Sequence, residues 1–483
     1  MDEIYTFNDS RDDLKGQVEF YKERGVVHLH PPLFFLLTHL FYPFPKPERD
    51  LRIIPLIFGT LSLPMIYFLS KLFSPGIALP CTLSLTFMVY HISLSQDGRS
   101  YSLLMFLGMI GLYFFMKYLK TAEKIFLFLV AIFFSILFFT SYTSIPFIVL
   151  SQILWFYRVD RNNDKPTFFP PAMLNALILL LCIPWIIFLA LHYEGDPIML
   201  SFHTEDIGSL TEILHGVLHD WAPHLPLTIL SGALLILFPF FSGNKRNTLV
   251  LLAFFILPIG GLYLFCRLLN ITHFITSRYF INFLPLFLIS LYLSLSTIEA
   301  RFAILKTFFR PTLLFLILYI ASNLLILPFY YRSEKQDLRG LVTYLTNHLQ
   351  EGDKIFIEAT GYIPGMLHYL GAHPEGHLHR MQLYENSEGG REYRKPFTYR
   401  NTTYTIYYSK SCCTEYVRDG SRLWIVVGKF TAKKIKDESP YVLKGYFDGS
   451  FLNFNKFPAD ASIYLFLWDP KSPDEKGIEI PFD

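Results

Sequence analysis

The chain carries about ten apolar runs long enough to cross a bilayer, and this pattern constrains its fold more than any other feature. A hydrocarbon core of about 30 Å needs roughly 20 apolar residues at the helical rise. Such runs lie near 51–72, 76–95, 99–118, 125–141, 145–157, 172–192, 226–242, 248–268, 280–298 and 311–330. Lipid offers the backbone no hydrogen-bond partners, so each run is expected to be helical. The run at 145–157 is short, with soft ends. The run from Pro31 to Phe44 is shorter and broken by proline, and it reads as an interfacial helix rather than a span. Only 17% of the 483 residues are charged, against about 25% in soluble proteins. From Leu51 to Tyr331 those charges sit almost entirely between apolar runs, and after Tyr331 they are dense and mixed. Three regions follow: an outer N-terminal loop with an interfacial helix (1–50), a transmembrane domain of about ten helices (51–331) and an extracytoplasmic α/β domain (332–483).

Lysine and arginine set the orientation. Lys117, Lys120 and Lys124 fall in one loop, Arg158, Arg161 and Lys165 in the next of the same side, then Lys245 and Arg246, then Arg301, Lys306 and Arg310. The positive-inside rule assigns these loops to the cytoplasm. The other set then faces outward: the N-terminal segment, Ser95–Arg99, Ser141–Ser144, the long loop Tyr193–Leu225, Leu269–Arg278 and everything after Tyr331. An outward N-terminus without a signal peptide implies a further hydrophobic helix ahead of Met1.

In the C-terminal part, 336–349 has helical spacing. The segments 353–358 and 422–427 read as buried strands bounded by glycine. There is no nucleophile elbow, phosphate loop or Cys/His metal spacing. Cys81, Cys182 and Cys266 lie in apolar runs and read as packing residues, and the adjacent Cys412 and Cys413 read as incidental. A net charge of +2 is too small to suggest nucleic acid.

The span interiors are almost free of charge, although ion-coupled transport generally demands charged groups there. Polar residues instead gather at the outer ends of spans, which suits a site open to a lipid-borne substrate. Asp2-Glu3 supplies two carboxylates beside an apolar helix, material for a general base or simply a solvated terminus. In His28-Leu-His-Pro-Pro-Leu33 the prolines stiffen the approach to the interfacial helix. His30 there is either a substrate contact or a structural histidine. Ser95-Gln-Asp-Gly-Arg-Ser-Tyr101 and Ser277-Arg-Tyr279 each put an arginine at an outer mouth. Such an arginine either snorkels to headgroups or grips a phosphate through its planar fork.

Taken in order, Asp2-Glu3, His30-Pro-Pro-Leu-Phe34, Gln96-Asp-Gly-Arg-Ser-Tyr101 and Arg278-Tyr279 resemble the GT-C glycosyltransferases of families 39 and 83. These are the protein O-mannosyltransferases and aminoarabinose transferases. Tyr330-Tyr331, Asp337-Leu-Arg339 and Gly352-Asp353 resemble the start of the extracytoplasmic domain of bacterial members. The resemblance implies a GT-C-like fold in a bacterial inner membrane, with the active site outside the cytoplasm. It also implies transfer of a hexose or pentose from a polyprenyl-phosphate donor to a lipid, glycan or protein acceptor, with inversion. Asp2 would be the base and Glu3 would orient the acceptor. Arg99, Tyr101, Arg278 and Tyr279 would hold the donor phosphate, and His30 would contact substrate. No cofactor is required. Some relatives bind a divalent metal, for which His203 and Glu205 in the long outer loop are candidate ligands, although that loop is read first as a lid.

A transporter or lipid flippase is the alternative. It would call for an internal repeat and mid-membrane polar residues, neither of which the sequence shows. A non-catalytic scaffold is the third reading. The orientation has a direct check: a single cysteine placed within 158–165 should be shielded in intact cells from an impermeant thiol reagent, and one at Gly361 should react. The reverse pattern would invert the topology and remove the outer-site reading.

Overall fold

A computed structural model describes residues 2–23, 30–157, 169–192, 208–269, 275–302, 310–332, 337–358, 362–371, 384–385, 391–400, 402–409, 420–436, 441–449, 462–472 and 476–480. The chain divides into two compact units. One comprises Asp9–Pro328; the other comprises Phe329–Asp483 together with Met1–Asn8.

The elements of the first unit are helices among the described residues, and every one of the ten apolar runs forms helix. Among the described residues, six helices are long and apolar enough to cross a membrane: Pro47–Phe73, Tyr101–Thr121, Pro170–His192, Lys245–Leu268, Ser277–Arg301 and Pro311–Arg332. The remaining runs depart from simple spans. Lys124–Thr140 and Tyr142–Phe156 are shorter apolar helices, the second turning from α-helix to 3₁₀-helix at Gln152. The run at 76–95 is broken at Met88 and bent by 62°. The loop expected over 193–225 contains a helix, Leu210–Trp221, which meets Leu225–Phe241 at 106°. Ser209 and Glu212 begin that helix with a reciprocal capping box.

Packing distinguishes centre from rim. In Ser277–Arg301, 78% of the apolar window is buried inside the protein, against 11% in Pro170–His192, so the latter offers most of its surface to lipid. Cys81, Cys182 and Cys266 are buried free thiols, as expected of packing residues. The proline-broken run from Pro31 to Phe44 contains the short helix Leu33–His39, with Phe34, Phe35 and Thr38 buried.

The second unit contains one seven-stranded sheet: β1 (Lys354–Ile357), β2 (Tyr384–Glu385), β3 (Arg391–Tyr399), β4 (Thr402–Ser409), β5 (Leu423–Val427), β6 (Val442–Phe447) and β7 (Ile463–Trp468). Their order is β2-β3-β4-β1-β5-β7-β6. β1 runs parallel to β4 and β5, and the outer pairs are antiparallel. The two strands expected from sequence are therefore the centre of the sheet, where both faces are covered and every residue can be apolar. Ile355, Ile357, Trp424 and Val426 pack with helices Leu338–His348 and Tyr362–Tyr369. Phe356, Ile425 and Val427 point the other way, onto Ala432 and Ile435 of helix Lys429–Lys436.

One buried ionic cluster pins this centre. Asp353, 2% exposed, accepts from the Gln350 backbone N–H at 2.9 Å, the Trp424 indole N–H at 2.8 Å and Arg422 at 3.3 Å. Arg422 also pairs with Asp469 at 3.1 Å. Burial pushes the Asp353 carboxyl above its ordinary range, and these donors pull it back. Asp353→Ala leaves Arg422 and the indole without their acceptor. It should destabilise this domain by about 3–5 kcal/mol, read as lost hydrogen-exchange protection across β1 and β5 in the full-length protein. Unchanged protection would contradict a supporting role for the cluster.

Candidate active site

Two of the arginine-bearing motifs of the membrane unit meet at one tyrosine. Val89–Ser95 ends in a tight turn, with Gln96 N–H donating to Ser93 O at 3.2 Å and Arg99 N–H to Asp97 O at 2.6 Å. The next helix starts at Tyr101, and Ser102 Oγ reaches back to Leu94 O at 3.0 Å. Across from it, Ser277–Phe283 forms a 3₁₀ turn that leads into the central helix Leu284–Arg301. The Arg278 guanidinium lies 5.7 Å from the centre of the Tyr101 ring, a geometry worth about 0.5–2 kcal/mol. Arg99 is two residues from that ring along the same turn.

Close backbone approach makes this possible. A Cβ on Gly108 would come 3.0 Å from Asn282 Oδ1, so glycine lets the 3₁₀ turn press onto the Tyr101–Thr121 helix. A Cβ on Gly59 would lie 2.1 Å from Ser95 Oγ, and no other residue would let the first span sit so near the arginine turn.

Two further residues belong to the cluster. Ser277 Oγ donates to Asp220 Oδ2 at 2.5 Å, which brings a carboxylate next to the arginine turn. The buried Tyr90 hydroxyl faces Ser277, Asp220, Arg278 and Tyr101. Neither Asp220 nor Tyr90 stands out in sequence. Asp220 falls in a stretch that reads as loop, and Tyr90 is one aromatic among many. The available signal was Ser209-Leu-Thr-Glu212, a capping box announcing the helix that ends beside Asp220.

A buried polar chain fixes both newcomers. At the Met88 break the backbone is extended, which deprives Val89 N–H of a helical partner. Asn323 Oδ1 accepts it at 2.9 Å, and Asn323 Nδ2 donates to Tyr319 O at 2.9 Å. The Tyr319 hydroxyl donates to Trp221 O. Val89 precedes Tyr90 and Trp221 follows Asp220, so one helix anchors the backbone on which each side chain stands.

Of the other sequence candidates, Tyr279 is half-buried against the membrane core, its N–H donating to Thr276 O at 3.1 Å. The His30 ring is tilted against Phe35 with 6.0 Å between centres. Asp2 begins the N-terminal helix Asp2–Asp9, and Glu3 follows it, half-buried. Both belong to the unit that contains the C-terminal domain. His203 and Glu205 lie outside the described residues, and among the described residues no group of three His, Cys, Asp or Glu side chains could hold a metal.

Solved structures to which the chain is similar include ArnT from Cupriavidus metallidurans in the apo state. That match has 11% identity and a TM-score of 0.48 over 96% of this chain and 93% of that one. The same protein bound to undecaprenyl phosphate matches at 10% identity and a TM-score of 0.46, over 97% and 93%. No protein-family model and no curated protein matches the chain.

The polar chain under the site has a measurable consequence. Asn323→Leu leaves Val89 N–H buried without an acceptor and should cost about 1–3 kcal/mol, lowering the unfolding midpoint of the purified protein. An unchanged midpoint would mean that Asn323 does not hold the break.

Proposed function

We propose that this chain is a membrane glycosyltransferase that moves a sugar from a polyprenyl-phosphate donor to an acceptor outside the cytoplasm. The observation that carries the reading is the Arg278 guanidinium placed over the ring of Tyr101, two residues along the chain from Arg99, at the start of the span with the largest buried share among the described residues. A snorkelling arginine needs no such seat. An arginine that must meet a developing charge does, because preorganised cations cost no reorganisation when the bond breaks.

The chemistry follows from the leaving group. The acceptor hydroxyl attacks the anomeric carbon, the bond from that carbon to the phosphate oxygen breaks, and the acceptor proton passes to Asp2. The phosphate goes from a diester of charge about −1 to a monoester of about −1.5 to −2. Arg99 and Arg278 offset that growth, with Tyr101 and Tyr279 donating hydrogen bonds. Glu3 orients the acceptor, and His30 contacts substrate. Attack from the face opposite the phosphate gives inversion. Asp220 acts through Ser277, setting the turn on which Arg278 stands. The acceptor class is lipid, glycan or protein, and the sugar is a hexose or pentose.

Lysine keeps the charge of arginine but not its fork. Arg99→Lys and Arg278→Lys should each slow transfer by an amount equivalent to about 2–4 kcal/mol. The assay is release of free polyprenyl phosphate from a radiolabelled lipid extract, with protein level and membrane insertion unchanged. Asp2→Asn should lower turnover by about 10²–10⁴-fold. Full activity in both lysine variants would remove the phosphate clamp, and full activity in Asp2→Asn would remove Asp2 as base.

A further inference from the structure

The segment that carries Asp2 and Glu3 is an eight-residue helix, Asp2–Asp9. Isolated helices of that length are marginal in water, so tertiary contact must hold it. Gln17 Nε2 donates to Asp9 O at 3.2 Å, and further contacts come from the far end of the chain. Ile4 packs against the core of the C-terminal domain that contains Leu338, Leu341, Ile363 and Met366. Phe7, one turn along, meets the His368 ring edge-on, with 5.0 Å between centres and 71° between planes. Ile4 and Phe7 are three apart and share a face of the helix.

The receiving side is itself braced. His368 lies near the end of helix Tyr362–Tyr369, and its ring is edge-on to Tyr369 at 5.2 Å. Arg339, from the neighbouring helix Leu338–His348, caps the Tyr369 ring at 5.7 Å. The dock is thus built from two helices of the sheet domain. Met1–Asn8 accordingly separate from the membrane unit and belong with Phe329–Asp483.

We infer that the C-terminal domain positions the carboxylate-bearing helix, with His368 as the main positioning residue and Ile4 and Phe7 as its counterparts. This rests on the proposed role of Asp2 and Glu3. It gives the sheet domain, whose described residues hold no cluster able to bind a metal, a part in transfer without contact to the reacting atoms. A base displaced by even an ångström loses much of its effect. Loosening the dock should therefore slow the chemical step and leave the donor phosphate site intact.

The test uses the full-length protein in detergent, with a radiolabelled lipid extract as donor pool and added polyprenyl monophosphate as a probe of the phosphate site. His368→Ala and Ile4→Ala should each reduce release of polyprenyl phosphate by about 10–100-fold. Inhibition by added polyprenyl monophosphate should be unchanged. His368→Phe, which keeps a ring for Phe7, should recover most of the rate. In an Asp2→Asn background, His368→Ala should have no further effect, because both changes act on one step. Hydrogen exchange should show the Asp2–Asp9 amides exposed in His368→Ala while β1 and β5 stay protected. Wild-type turnover with those amides exposed would overturn the inference. So would an undiminished effect of His368→Ala in the Asp2→Asn background. If instead Asp2→Asn and Glu3→Gln both turn over normally, the base assignment itself fails, which is a separate outcome.

Discussion

Everything in the membrane unit answers to one constraint: a peptide N–H or C=O in hydrocarbon must find its partner within the protein. Unbroken helices meet it by default. The chain departs from them at Met88 and between Trp221 and Leu225, and at both places the Pro311–Arg332 helix supplies what is missing. Asn323 takes up Val89 N–H, and Tyr319 donates to the carbonyl of Trp221. These two residues are four apart, one turn of one helix, so a single rigid element stabilises both irregularities. That arrangement turns Tyr90 and Asp220 away from ordinary spans and toward the arginine turns.

The electrostatics of the cluster suit an anion of changing charge. Arg278 is fixed by a ring face and by its neighbour Ser277, which is bonded to Asp220. Asp220 beside the turn offsets part of the positive field, so Arg278 can be kept near the apolar interior. The C-terminal sheet domain adds a second, separate piece of order by holding the helix that bears Asp2 and Glu3.

Much of this was legible beforehand. Apolar runs report helices, and all ten runs are helical, but among the described residues six are long and apolar enough to cross a membrane, or up to eight if each bent pair is one span. The central strands β1 and β5 were legible because strands buried on both faces are uniformly apolar. The antiparallel β3–β4 hairpin was not, since Arg391–Tyr399 mixes Tyr and Thr with charge and proline, and Thr402–Ser409 has a single aliphatic residue, Ile406. The break at Met88 carries no proline or glycine, and its stabilising partner is 234 positions away. Arg278 and Tyr101 were legible as motifs but not as a contact. Asp220 was hidden in a presumed loop, and the docking of Ile4 and Phe7 joins the two ends of the chain.

The central claim is that the chain moves a sugar between a lipid phosphate and an acceptor outside the cytoplasm. Mass analysis of cell-envelope glycans, lipids and proteins from the source cell, with and without the gene, addresses it most directly. The account expects one species to lose a single hexose or pentose on deletion and regain it when the wild-type gene is restored. It also expects the sugar-loaded polyprenyl phosphate to accumulate in the deletion strain. An envelope of identical composition, with no change in any polyprenyl-phosphate sugar, would contradict it.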